Sequence, residues 1–186
     1  MSGAEALCKT PAEVRSLTAL RAASGEVDGV MERHCMRCFE LCQRIASRKG
    51  VVLDLEVMLC AAILHDIGLY NSVSDGGVYT EEGAALARKI GLESGWDHAR
   101  ADLCAEACAR HHSLTSKWES GAEVEALRLA DRIEVSGGLS RAGLSRSEVE
   151  EVFAMYPRAG FYGGLAQLVG PTLRHRPWTM PRIFKP

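Results

Sequence analysis

Four side chains in this sequence combine metal-ligand chemistry with an apolar setting: His34, His65, Asp66 and Asp131. His34 stands in RHCMR, His65 and Asp66 are neighbours in LHDIG, and Asp131 lies in LADRIE. Turning an imidazole or a carboxylate into an apolar core is costly unless a partner satisfies it. A divalent cation is such a partner, because imidazole nitrogens and carboxylate oxygens ligate borderline and hard ions. Adjacent helical side chains diverge by about 100°, so His65 and Asp66 can serve one ion only where a helix ends, and Gly68 supplies that end. The expected centre holds one divalent metal ion, with Mn, Fe, Zn, Ni and Mg all suited to two His and two Asp. Such an ion acidifies a bound water and polarises a substrate oxygen, which is hydrolytic chemistry.

The elements that must position these residues read as helices. Thr10, Pro11 and Glu13 form a capping box with proline at the first helical position, opening a helix that runs to about Ala23. Val27, Val30, Met31, His34, Cys38, Leu41 and Ile45 share one face of a long second helix ending before Gly50. Asp54 caps a third, LEVMLCAAIL, which is apolar on nearly every side and belongs in the middle of the fold. Thr80 is expected to cap a fourth, with Glu81 and Glu82 in its first turn as dipole-stabilising acids and Gly91 as its end. A fifth runs from about Trp96 to His111 and His112, and a sixth is GAEVEALRLADRIEV. Ser145 and Glu148 box a seventh, ended by Pro157, and residues 160 to 173 can form one more. No stretch alternates with period two. The reading is all-α, a single-domain helical bundle of about seven or eight helices with no sheet.

Composition narrows the function. The chain has 186 residues, 47% hydrophobic and 25% charged, with 22 Lys+Arg against 24 Asp+Glu and a net charge of -2. That balance gives no field for a long nucleic acid. No run approaches the ~20 apolar residues that span a bilayer, and MSGAEALCKTPAEVRS is unlike a leader, so no membrane and a cytoplasmic location are expected. Seven cysteines point to reduced thiols. Cys35, Cys38 and Cys42, and also Cys104 with Cys108, fall on amphipathic helices, where buried structural thiols are favoured over a zinc cage.

An HDIG after an apolar helix, a histidine on an earlier helix and an L-A-D on a later one resemble the HD superfamily of metal-dependent phosphohydrolases, over roughly residues 25 to 135. The resemblance implies an HD-type bundle. Residues 1–24 form an N-terminal helix on the core, 25–157 the HD domain, and 158–186 a C-terminal helix and proline-containing basic tail of the same compact unit. It implies His34, His65, Asp66 and Asp131 as metal ligands, and Asp66, His111 and Arg37 as catalytic residues. Arg37, in an H-x-x-R opening, would meet a substrate phosphate or a ligand carboxylate; a surface cation is the alternative. His111 in ARHHS would be a second-metal ligand, a proton donor or a substrate contact, with His112 beside it. Tyr79 and Leu69 depart from the two-metal members and favour one ion.

The implied activity is a phosphomonoesterase on a small phosphorylated metabolite or nucleotide. HCMR, LHDIG, YTEEGAA and ARHH also resemble the branch that includes cyanamide hydratase, which implies a hydratase, lyase or amidohydrolase on a small nitrogen compound. A non-catalytic metal-containing sensor is a third possibility. A homodimer through apolar surface such as the FYGG stretch is open. The tail, RHRPWTMPRIFKP, reads as extended, either a packing strap or a lid in which Arg174, His175, Arg176, Arg182 and Lys185 attract an anion.

Overall fold

A computed structural model describes residues 3–184. Nine α-helices carry the described chain: α1 Gly3–Leu7, α2 Pro11–Ser24, α3 Val30–Lys49, α4 Leu55–Leu64, α5 Tyr79–Glu93, α6 His98–Arg110, α7 Ala122–Val135, α8 Arg146–Met155 and α9 Phe161–His175. Short 3-10 turns lie at Ile67–Leu69, Trp118–Ser120 and Pro177–Ile183, and there is no strand among the described residues. None of the helices is long and apolar enough to cross a membrane.

Helix α4 is the axis. Asp54 caps it by accepting from the Val57 N–H, and every side chain from Val57 to Leu64 is buried. Helices α2, α3, α5, α6 and α7 all pack around it. The cysteines serve this packing. All seven are free, six are buried, and the thiols of Cys35, Cys104 and Cys108 point at the carbonyls of Ile63, Val57 and Ala61, seating α3 and α6 on α4. Small, weakly polar side chains allow that close approach.

At its C-terminal end α4 meets the start of α5 through backbone. A Cβ on Gly68 would lie 2.1 Å from the Tyr79 carbonyl oxygen, and one on Gly83 would lie 3.0 Å from the Leu64 carbonyl oxygen. These two glycines are required by proximity alone.

The all-α bundle stands as expected, with the short α1 adding a ninth helix among the described residues. Several finer expectations need correction. Thr80 is not a cap: α5 begins two residues earlier than such a cap would set it, with Val78 at the N-cap, and the Thr80 side chain is wholly buried. Glu82 accepts from the Asp75 and Gly77 N–H groups and closes the preceding loop. Gly91 does not end α5, which runs to Glu93; the Trp96 ring packs over Gly91, where a side chain would collide.

The tail is not extended either. Helix α9 reaches His175, and residues 177–183 form a 3-10 strap. Its basic residues turn outward, with Arg176 donating to Ser74 Oγ at 2.9 Å and Arg182 lying 3.8 Å from Glu81. Arg174 and His175 are exposed, and Lys185 falls outside the described residues. The strap instead sets Ile183 and Met180 against Leu69, Val78 and Tyr79. The anion-attracting lid is therefore replaced by an apolar roof.

Candidate metal centre

His34 comes from the buried face of α3, and His65 and Asp66 from the end of α4. Asp131 comes from α7, and all four are buried. Their inward atoms converge. His34 Nε2 and His65 Nε2 are 3.1 Å apart, and Asp66 Oδ2 lies 3.5 and 3.3 Å from them. Asp131 Oδ1 lies 3.7 and 3.9 Å from the same two nitrogens. Four donors at 2.0–2.2 Å from one tetrahedral ion would stand about 3.3–3.6 Å from each other. The cluster has the dimensions of a coordination shell.

Hydrogen bonding fixes the imidazoles for that purpose. His65 Nδ1 donates to the Ala62 carbonyl at 2.9 Å, which orients the ring so that Nε2 is the nitrogen facing the centre. His111, following α6, repeats the device with the Cys108 carbonyl at 2.7 Å. Its Nε2 and Asp66 Oδ1, 3.4 Å apart, are buried atoms with no hydrogen-bond partner in the protein. Buried polar atoms left unsatisfied are rare, and an ion or a water held at the centre answers both. The donor set therefore fits a divalent metal, which His34, His65, Asp66 and Asp131 could hold with His111 at the edge.

The Asp66 carboxylate is ionised. Burial opposes the charge on Asp66, but the imidazoles of His65, His111 and His34 outweigh it and hold the carboxyl well below its usual range. Cys38 Sγ lies 3.9 Å from the His34 ring, burial pushes its thiol up to about 11, and it stands within ligand reach of the group formed by His34, His65 and Asp131.

Arg37 takes neither expected role. It is completely buried and points away from the cavity, donating through Nε to Glu134 Oε1 at 2.5 Å and through Nη1 to the Tyr156 and Pro157 carbonyls. Its i+3 spacing from His34 carries it along α3 toward α7 and the α8–α9 link, where a carboxylate awaits it. Glu134, which sequence reasoning missed, is also buried, also bonded to Arg158, and lies 3.6 Å from His34 Nδ1. It backs the His34 ring from behind while Phe161 stacks on the ring face at 4.9 Å. Glu134 stands three residues after Asp131 on α7, so LADRIE held the signal.

His112 and Tyr79 form a second polar unit. His112 Nε2 lies 2.6 Å from the Tyr79 hydroxyl, and Nδ1 faces Asp131 Oδ2 at 3.5 Å. Burial, and then the neighbouring His111, lower His112 to about 4, while burial pushes Tyr79 well above its usual range, so the pair is neutral. Glu81 and Glu82 stay at the start of α5, away from the cluster.

Above the cluster lies a cavity of about 180 Å³. Its floor is His34, Asp66 and Asp131, its polar wall is Tyr79 and His112, and the rest is apolar, from Phe161 and Leu165 on α9 to Met180, Ile183 and Phe184 on the strap. A more open cleft of about 310 Å³ shares His112, Asp131, Val135 and Phe184 with it and adds His111, Ser113, Arg128 and Arg132.

Residues 31–136, more than half of the chain, match the family model of the HD domain, and the matched span holds His34, His65, Asp66, His111 and Asp131. No curated protein matches the chain.

Proposed function

We propose, from the premise that this chain belongs to the HD-domain family and so to a superfamily of metal-dependent hydrolases, that it hydrolyses or hydrates a small uncharged nitrogen compound. The observation that carries the substrate class is the lining of the chamber. Among the described residues around it none is Lys or Arg, and outside the His/Asp floor and the neutral Tyr79–His112 wall it is hydrocarbon. A phosphomonoester would bring about two negative charges into that space with only the ion to meet them, and buried charge without hydrogen-bonding cations is heavily penalised. Its size, below the ~300 Å³ at which drug-sized ligand sites begin, selects a small molecule.

When bound, a divalent ion at the four ligands supplies an acidified water and a Lewis acid for the substrate's polar bond. Asp66 Oδ1 and His111 Nε2, facing one another at 3.4 Å, would orient a water between them, and His111 Nε2 would take its proton. His111 returns that proton to the departing or newly formed nitrogen. The strap and Phe161 give the chamber an apolar cover on one side.

The phosphomonoesterase reading draws its support from the adjoining cleft, where Arg132 could meet a phosphate outside the chamber. The two separate in one screen of metal-loaded protein. Ammonia or urea released from small amides and nitriles, with nucleotides and sugar phosphates inert, is the expected result; phosphate release with inert amides would replace the reading. Chelation should abolish turnover and lower the melting temperature, because a bound ion stabilises only the folded chain.

A further inference from the structure

We infer that Phe161 is a positioning residue of the metal centre, holding the His34 ring in the orientation that turns Nε2 to the other ligands. The three buried imidazoles around the centre are secured in two different ways. His65 and His111 each donate Nδ1 to a carbonyl three residues back, Ala62 at 2.9 Å and Cys108 at 2.7 Å. His34 Nδ1 meets no carbonyl among the described residues. It faces Glu134 Oε1 at 3.6 Å, too far for a hydrogen bond, and the Cys38 thiol at 3.9 Å. The torsion that turns an imidazole about its Cβ–Cγ bond is soft, so a ring without such a bond is oriented by what packs on it. Phe161 supplies that packing: its ring lies within 22° of parallel to His34, centroids 4.9 Å apart. Turning the imidazole would drive its edge into the phenyl face, and a close-packed interior leaves no room for that.

Phe161 is itself fixed. It is buried at the start of α9, after Gly160 turns the chain at φ +80°, and its N–H donates to the Arg158 carbonyl at 3.0 Å. The guanidinium groups of Arg158 and Arg37 lie 5.3 and 5.5 Å from its ring centroid, within cation–π range. Both are tied to Glu134, Arg158 through the carboxylate at 3.1 Å and the main-chain carbonyl at 2.7 Å. One carboxylate thus backs His34 and anchors the cations beside its stacking partner. Phenylalanine offers an ion no donor atom, so whatever it contributes to metal binding passes through His34.

The inference rests on the metal centre and not on the substrate reading. Zinc alone is the probe, its dissociation constant measured on the metal-free full chain by competition with a chromophoric chelator, well below the melting temperature. Phe161→Leu keeps the site apolar but removes the flat face, and should weaken zinc about tenfold or more, the scale on which groups that orient a ligand act. Phe153→Leu is the control. Phe153 packs 4.7 Å from the Arg158 guanidinium on α8 and does not line the chamber, so its loss loosens the same link away from His34 and should leave zinc affinity within about twofold. Urea unfolding of the metal-free variants records what each costs the fold. Should Phe161→Leu fail to fold, Phe161→Met removes the flat face with a flexible side chain and carries the same two outcomes. Zinc affinity that survives the loss of the Phe161 ring, or an equal weakening in Phe153→Leu, would overturn the inference. Absence of zinc uptake by wild type would reject the centre and the inference together, whereas uptake with unchanged affinity in the Phe161 variant rejects the inference alone.

Discussion

Replacing Arg37 by methionine should unfold this protein more readily without touching its substrate. The side chain is fully buried, and so is Glu134, its partner through Nε and Nη2. Two backbone carbonyls, Tyr156 and Pro157, also accept from Nη1 at 3.0 and 3.2 Å. The substitution leaves Glu134 with Arg158, at 3.1 Å, as its remaining cation and strips both carbonyls of a charged donor. Breaking one side of a buried pair costs about 3–5 kcal/mol. For a chain of this length that corresponds to roughly 6–20 °C in melting temperature, at about 2–4 °C per kcal/mol.

Urea unfolding of the metal-free protein measures the loss. The double variant Arg37→Met, Glu134→Leu should recover part of it, because the fully buried carboxylate is gone and Arg158, partly exposed, keeps the backbone carbonyl at position 134 as an acceptor. Metal affinity should follow a different course. Glu134 backs the His34 ring, so Glu134→Gln should weaken the ion about 10- to 100-fold while changing stability less than Arg37→Met does. An Arg37→Met protein with wild-type stability and a raised KM would refute the argument and return Arg37 to the substrate.

Three further outcomes follow from the same geometry. Gly68→Ala forces the turn carrying Asp66 away from Tyr79, so kcat/KM should fall at least tenfold; activity within twofold of wild type would show that the backbone contact is not needed. Ile183→Ala loosens the strap from Leu69, Val78 and Tyr79, so amide hydrogen exchange over 177–183 should quicken and KM should rise while α4 stays protected, and equal loss of protection in α4 would place the strap in the core. Glu134, which burial would raise but which His34, Arg37 and Arg158 hold down at about 2 from an ordinary 4.5, is a depressed acid. Its stabilisation is present above about pH 4.5 and is lost as pH falls toward 2, so wild type should lose its advantage over Glu134→Gln within that window. A constant gap from pH 6 to pH 3 would contradict it.

The helices and the convergence of the His and Asp side chains were legible because each signal is local. A polar side chain in an apolar helical stripe, as at His34 or Asp131, marks a buried group that needs a partner wherever the helix is placed. Arg37 was not legible in the same way. Its spacing from His34 gives its helix face, but the carboxylate that claims it comes from α7, 97 residues on. Glu134 was hidden among the charges of LADRIE for the same reason. In the strap, Pro177 and Pro181 suggested extended chain, yet a fixed φ near -65° suits a 3-10 turn equally well. The spacing of Met180, Ile183 and Phe184 was the better guide, since it sets three apolar groups on one side of a turn. Thr80 has a capping side chain, but the fit of α5 against Gly68 moved the helix start ahead of it.

The contact of Gly68 with the Tyr79 carbonyl divides the chamber into parts of unequal adaptability. The floor and the tyrosine wall are locked to one another by main chain, so any change that enlarges one displaces the other. The roof hangs from α9 and a seven-residue strap, and meets the floor only through side chains. Variation in what the site admits should therefore accumulate at Leu165, Met180, Ile183 and Phe184, the positions where the molecule can alter its appetite without disturbing its chemistry.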